Sequence, residues 1–295
     1  MPHIALIVNP LATAVTEERL RFVEKALARL AHVETRRTRA RGHATELARE
    51  LAPSVDAIFV FSGDGGFNEV VNGLAADAPP IACIPGGGTS VFPRGLGIAR
   101  DPVRAVEQLA DAFRRQHVRR ISVGRVNGRR FLFNAGIGLD AELVRRIEAR
   151  RSRAGRPGDV AFVATLLRLI GEHRGRFDPV VEIDGAGRAA FLFVANADPY
   201  TYLGRLPLHL APQARLELGL DAIAPARVRP RGIPRLLQYV VTGRARPPSV
   251  LALHDVDVLS VRCDRPLPSQ ADGEDTGDVA SAVFEAERDA LRVLA

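Results

Sequence analysis

The chain has 295 residues, 46% hydrophobic and 25% charged, with a formal net charge of +7. That length admits one large domain or two ordinary ones with a core that needs no staples, and the composition excludes disordered and fibrous classes. The positive charge does not single out nucleic acid: Lys25 is the only lysine, the other basic residues are arginine, and 3 Tyr with no Trp leave few platforms for base stacking. Phosphate ligands or anionic surfaces remain as charge partners.

Met1-Pro2-His3 leads straight into Ile4-Ala5-Leu6-Ile7-Val8, with no basic n-region and no small-residue cleavage site, so no signal peptide is expected. The apolar run ends at Asn9-Pro10 and reads as a buried parallel strand. Thr16 before Glu17 and Glu18 marks a helix start, and Leu20, Val23, Leu27 and Leu30 follow at helical spacing. A second strand fits 32–36 and a second helix His43 to Leu51, stopped by Pro53. Further buried strands fit 57–61 and 81–84. This alternation predicts a doubly wound α/β domain with right-handed crossovers over residues 1–120.

Short strands dominate beyond, at 121–126, 130–134, 180–183, 189–195, 215–220 and 256–263, with turn signals at Asn127-Gly128 and Asp184-Gly185. A helical insertion fits 140–150 and 160–173. Residues 121–295 are therefore expected to form an all-β, sandwich-like domain. The apolar run from Val160 to Ile170 is broken by Arg168 and is too short to span a bilayer. Cys83 and Cys263 match no zinc spacing and are expected to be reduced thiols of a cytoplasmic protein.

In an open parallel sheet, ligands bind beyond the carboxyl ends of the strands, where loops meet helix N-termini. Three signals fall there: Asn9-Pro10, Ser62-Gly63-Asp64-Gly65-Gly66 and Pro85-Gly86-Gly87-Gly88-Thr89-Ser90. Glycines let backbone N–H groups converge on phosphate oxygens, and a carboxylate at Asp64 could hold Mg²⁺ against those phosphates. Each loop alone reads equally as a tight turn. The Walker A loop and the dinucleotide fingerprint are both absent, because no Gly-Lys-Ser/Thr follows and Asn68 stands where the fingerprint needs glycine.

The stretch from Ser62 to Leu74, SGDGGFNEVVNGL, resembles the GGDGT-x-NE-VVNGL signature of diacylglycerol and sphingosine kinases. Thr38 with Gly42-His43-Ala44, the FxNxxGxGxDA-like run from Phe131 to Ala141, the block from Asn196 to Gly204, and Asp272-Gly273-Glu274 follow in the order of that family. The resemblance implies an NAD-kinase-like α/β domain, a β-sandwich domain and an active site between them. It implies transfer of the γ-phosphate of ATP, with Mg²⁺, to a lipid alcohol such as diacylglycerol or a sphingoid base, at peripheral contact with a membrane. By the same resemblance Asn9, Pro10, Thr38, Ser62, Gly63, Asp64, Gly65, Gly66, Phe67, Asn68, Glu69, Gly88 and Thr89 line the nucleotide. Asp272-Gly273-Glu274 brings the catalytic base at Glu274. Asp64, Glu217 and Asp221 are the carboxylates nearest the family's metal positions.

The chain departs from the pattern at several places. Gly66 replaces the threonine of GGDGT, Gly88 or Thr89 that of the second loop, and Val91 and Ser122 stand where the family has aspartates. Leu218-Gly219-Leu220-Asp221 stands for the Mg²⁺-associated DGxxD segment, and Asn9-Pro10-Leu11-Ala12-Thr13 lacks the usual glycine. An NAD-kinase-like enzyme for a soluble substrate and a non-catalytic nucleotide- or lipid-binding protein are the competing readings. Arg145, Arg146, Arg150, Arg151, Arg153 and Arg156 offer one surface for anionic headgroups, or a solvated helix end and loop. The oligomeric state, a homodimer among the options, is not written in the sequence.

Overall fold

The computed structural model describes residues 1–154 and 159–295. They fall into two units, the first formed by Met1–Val123 with Arg288–Ala295 and the second by Gly124–Glu287.

In the first unit the chain runs β1 (His3–Val8), α1 (Glu17–Ala28), β2 (His32–Arg37), α2 (His43–Leu51), β3 (Ala57–Ser62), α3 (Asp64–Gly73), β4 (Ile81–Pro85), α4 (Val91–Gly95) and α5 (Pro102–Arg114). The strands lie in the order β4-β3-β1-β2, all parallel. Every residue of β3 and β4 is buried, which is why both read as unbroken apolar runs. The helices follow from local chemistry. Thr16 accepts the Arg19 N–H at 3.2 Å and starts α1, which buries Leu20, Val23 and Leu27. Asp101 caps α5, with Pro102 at its first position. Because β2 lies on one side of β1 and β3 on the other, the sheet has its topological switch at β1.

β5 (Val118–Val126) carries the chain into the second unit. There follow β6 (Arg129–Phe131), β7 (Asn134–Ile137), α6 (Leu139–Ala154), α7 (Asp159–Glu172), β8 (Val181–Ile183), β9 (Gly187–Ala189), β10 (Leu192–Ala195), β11 (Thr201–Leu203), β12 (Leu206–Leu208), β13 (Leu220–Pro225), α8 (Ile233–Thr242), β14 (Val250–Val256), β15 (Val258–Ala271) and β16 (Glu274–Leu294). The order β14-β13-β10-β7-β15-β16 is antiparallel throughout, with β8 on β15 and β9 on β8. Its core gathers Phe131, Ile137, Leu192, Val194, Val261 and Phe284.

The expected boundary near residue 120 falls within β5, and Arg288–Ala295 pack with the first unit. Val293 of β16 pairs parallel with Ile81 of β4, and Leu291, Val293 and Leu294 are buried. The strand expected over 130–134 is two strands, because the Asp272 carboxylate accepts the N–H groups of Leu132, Phe133 and Asn134 and takes them out of a ladder. The strand expected over 189–195 is interrupted where the Ala190 N–H bonds Pro225 O. The strand expected over 215–220 is a turn closed by the Leu218 N–H on Arg215 O, with β13 starting at Leu220. The strand expected over 256–263 spans the end of β14 and the start of β15. Helices α4, α5 and α8 and strand β16 were not anticipated. Cys83 and Cys263 are free thiols, and burial pushes both thiol pKa values up.

Candidate active site

Three loops gather at the carboxyl ends of β1, β3 and β4. The Gly86 N–H donates to Ser62 O at 2.6 Å, and the Ala14 N–H to Gly86 O at 2.7 Å. The Asn9 N–H donates to Phe61 O, while the Asn9 carboxamide oxygen accepts the Leu11 N–H at 3.0 Å and shapes its own turn. Pro10 is exposed beside it, and the Thr38 N–H reaches Val8 O at 2.8 Å. The glycines are needed for this approach: a Cβ on Gly87 would stand 2.9 Å from the Cα of Gly63. Helix α3 starts at Asp64 and aims its N-terminal partial positive charge into the cluster. Gly65 and Gly66 lie in its first turn, and the open Gly88 and half-buried Thr89 lie on the facing loop.

Three residues expected to face the nucleotide serve the scaffold instead. Phe67 is fully buried in the core. Glu69 accepts the Ala44 N–H at 3.2 Å and so caps α2. Asn68 is buried, and its side-chain oxygen accepts from Asn72 at 3.1 Å. Asp64 is occupied as well: its two oxygens accept the N–H groups of Val91 and Phe92, each at 3.0 Å, and cap α4. Val91 therefore needs no carboxylate of its own to start that helix. Ser62 is buried, and its hydroxyl meets no hydrogen-bond partner among the described residues.

The second unit brings distant blocks together. Asn134 and Asp140, both in the run from Phe131 to Ala141, meet Gln270, whose amide nitrogen lies 2.9 Å from Asn134 Oδ1 and 2.6 Å from Asp140 Oδ2. The Tyr200 hydroxyl donates to Asp140 Oδ1 at 2.5 Å, and the Gly273 N–H donates to Gln270 Oε1 at 2.9 Å. Burial pushes the Asp140 carboxyl up to about 6, against the opposing pull of Tyr200 and Gln270. The same burial, with Asp140 alongside, raises Tyr200 far above its ordinary value. Asp272 is not placed as a base. Its carboxylate receives three backbone N–H groups at 2.7, 3.0 and 3.2 Å. Glu274 pairs with Arg129 at 2.5 Å.

Asp140 and Tyr200, with Tyr239, are among the residues lining a cavity of about 160 Å³. The rest of that wall is almost wholly apolar and includes Leu143, Phe162, Phe193, Ile223 and Leu236. Gln270 and Arg129 were not anticipated from the sequence, since they lie outside the quoted blocks. Asp140 and Asn134 carried a usable signal: a single polar residue in an apolar run must find a partner when buried.

The carboxylates assigned to Mg²⁺ do not fit that ion. Asp64 is committed to α4, and the buried Asp221 accepts from His254 Nδ1 at 2.8 Å and from the Asp255 N–H at 3.1 Å. Glu217 is exposed in the turn before β13. Among the described residues no group of three or more His, Cys, Asp or Glu side chains could hold a metal. The arginines expected to meet headgroups are also committed: Arg145 pairs with Asp275 and Asp278, and Arg146 with Glu142 and Glu172. Arg156 and the side chains of Arg150, Arg151 and Arg153 lie outside the described residues.

Residues 3–126 match the diacylglycerol kinase catalytic domain, and residues 134–295 match the YegS C-terminal NAD kinase beta sandwich-like domain. A diacylglycerol kinase of Bacillus subtilis (strain 168) is 41% identical over 112 residues, 37% of this chain and 36% of that protein. One from Staphylococcus saprophyticus is 33% identical over 90 residues, 30% of this chain and 28% of that protein. The chain thus matches about a third of the length of these relatives. A crystal structure of a diacylglycerol kinase from Bacillus anthracis str. Sterne superposes with a TM-score of 0.73 at 23% identity, covering 99% of this chain and 96% of that one. At that identity the likeness concerns the fold.

Proposed function

The chain belongs to the diacylglycerol kinase family, and from that premise we propose that it is an ATP-dependent lipid kinase whose acceptor is a diacylglycerol-class alcohol. The observation that carries the lipid acceptor is the almost wholly apolar cavity of the second unit, with Asp140 and Tyr200 among its lining residues. A soluble acceptor such as NAD would need a polar lining, whereas acyl chain needs only apolar surface and one hydrogen-bonding end.

The glycine loops of the first unit hold the phosphates of ATP through backbone N–H groups at the start of α3. Mg²⁺ would come bound to the nucleotide and neutralise its phosphates, since Asp64 and Asp221 are held in hydrogen bonds of the fold. Glu274 is the base. It takes the proton of the lipid hydroxyl while that oxygen bonds the γ-phosphorus and the bond to the departing ADP breaks. Arg129 keeps this carboxylate oriented. The products are a phosphomonoester lipid, phosphatidic acid for diacylglycerol, and ADP. The enzyme works from the cytoplasm as a peripheral protein; among the described residues no helix is long and apolar enough to cross a membrane.

Transfer of label from ATP to short-chain diacylglycerol, with NAD as the competing acceptor, tests the reading. We expect label in the lipid and a loss of about 100-fold or more in kcat for Glu274→Gln. Label in NAD alone would mean the soluble-substrate kinase. The commitment of both Asp64 oxygens to α4 favours a second reading, a non-catalytic nucleotide binder, and nucleotide binding with no turnover on any acceptor would establish it.

A further inference from the structure

Helix α7 has two apolar faces. Phe162, Leu166 and Ile170 line the cavity, while Val160, Val163 and Leu167, at the i, i+3, i+7 positions of another face, are exposed by 83%, 36% and 60%. Helix α8 repeats the arrangement. Ile233, Leu236 and Val240 line the cavity, and Leu237 and Val241, one turn apart, are exposed by 46% and 43%. An ordinary surface helix carries polar residues on its outer face. Leu237 belongs to both surfaces, so the cavity wall reaches the exterior at this residue.

Beside the α8 row the charge has one sign, whereas α7 carries the Arg168–Glu172 pair. Arg231, Arg235 and Arg244 lie on α8 or within two residues of its ends, all exposed, and none has an acidic partner among the described residues. Arg145, Arg146 and Arg229 of the same unit, by contrast, pair with Asp275, Glu142 and Asp178. Apolar rows next to unpaired arginines match the depth profile of an anionic bilayer, with acyl chains below and phosphates above.

We infer that the outer faces of α7 and α8 dock on an anionic phospholipid bilayer, seating the exposed part of the cavity wall at the lipid surface. Val160, Val163, Leu167 and Val241 enter the acyl boundary, and Arg231, Arg235 and Arg244 meet the headgroup phosphates. A lipid alcohol then passes from the bilayer into the cavity without its chains crossing water. This rests on the lipid-kinase reading for its purpose, but its physical claim is adsorption, which can be measured without turnover.

The test is cosedimentation of the full chain with phosphatidylcholine vesicles, with and without phosphatidylglycerol. We expect binding to the anionic vesicles at least about tenfold stronger than to the neutral ones, falling as salt is raised. Arg231→Glu with Arg235→Glu should weaken anionic binding by about tenfold or more. Leu167→Glu with Val241→Glu should remove binding to both, with Arg104→Glu on α5 as an unaffected control. All these side chains are exposed, so unchanged melting curves show that folding is intact. Equal binding by the wild type and the two double variants, or no binding by the wild type, overturns the inference. So does a dimer that the Leu167→Glu, Val241→Glu pair dissolves, since a second copy would then cover this face. Phosphorylation of water-soluble short-chain diacylglycerol separates the two ideas. If turnover on it persists while vesicles are ignored, only the docking face fails; if vesicles bind as expected and no lipid is phosphorylated, only the kinase reading fails.

Discussion

The hydroxyl of Ser62 occupies the space that a side chain on Gly66 would need: an ideal Cβ at Gly66 would fall well inside contact distance of Ser62 Oγ, and 2.7 Å from Ser62 Cβ. The two departures from the family signature at 62 and 66 are thus one change, because serine at the first position excludes threonine at the fifth. Gly66→Thr should therefore overpack the turn and cost about 1–3 kcal/mol in urea unfolding. Adding Ser62→Gly should restore most of that loss, so the two changes will be strongly non-additive. Titration with a fluorescent ATP analogue should show the same recovery in nucleotide affinity.

Asp140 gives the second unit a pH signature. Its carboxyl titrates near 6 when folded, against an ordinary value of 3.8. Between those values the folded state holds a proton that the unfolded chain has released. The resulting stability is fully present below pH 3.8 and is lost as pH rises through about 6, an effect of about 3 kcal/mol. Urea unfolding of wild type and Asp140→Asn from pH 4 to 8 should show this slope in the difference between them. Tyr200→Phe removes a hydrogen bond that favours the charged carboxylate, so it should move the window to higher pH. An identical pH dependence in wild type and Asp140→Asn would be the contrary result.

Asp272 and Glu274 are two residues apart and should respond to substitution in opposite ways. Asp272→Ala strips an acceptor from three backbone N–H groups and places alanine at a φ of 50°, where aspartate and asparagine are better tolerated. A loss of about 3 kcal/mol or more is expected, and Asp272→Asn should recover part of it. Glu274→Gln breaks a part-exposed ion pair and should change stability by about 1 kcal/mol or less while abolishing turnover. Thermal melts set beside kcat for the three variants will show whether the roles divide this way.

Manganese binding followed by electron paramagnetic resonance addresses the metal. Without nucleotide the chain should bind Mn²⁺ no more tightly than about millimolar, because hard cations need several free oxygen ligands. With ATP present, Mn²⁺ should join the complex. Asp64→Asn should lower stability by about 1 kcal/mol through the lost cap on α4, whether or not metal is added. A tight, nucleotide-independent site that disappears in Asp64→Asn would restore Asp64 as a ligand.

The first unit was legible because its signals are local. Ala57 to Ser62 and Ile81 to Pro85 are apolar because both faces are covered, and Thr16 and Asn9-Pro10 mark their own turns. The second unit was less so. The stretch 215–220 alternates like a strand, but the Gly219 N–H is held by Asp255 Oδ1, 36 residues away. Strand β16 runs 21 residues through alternating burial and many charges, which hides its period. For the site, the glycine loops could be read, yet the commitment of Asp64 to Val91 and Phe92 spans 27 and 28 residues and has no local mark. The meeting of Asp140 with Gln270 joins positions 130 apart.

Residues 288–295 complete the first unit, although the whole second unit lies between them and Val123 in the chain. During synthesis the outer edge of β4 must wait until residues 124–287 have been made. Unpaired strand edges are sticky, so this interval is when a nascent chain is most open to wrong pairings. The second unit is continuous in sequence, and once residues 124–287 are compact the loop that the Val293–Ile81 pairing must close has less chain entropy left to lose. Folding order, and not only final packing, is then set by where the chain turns back.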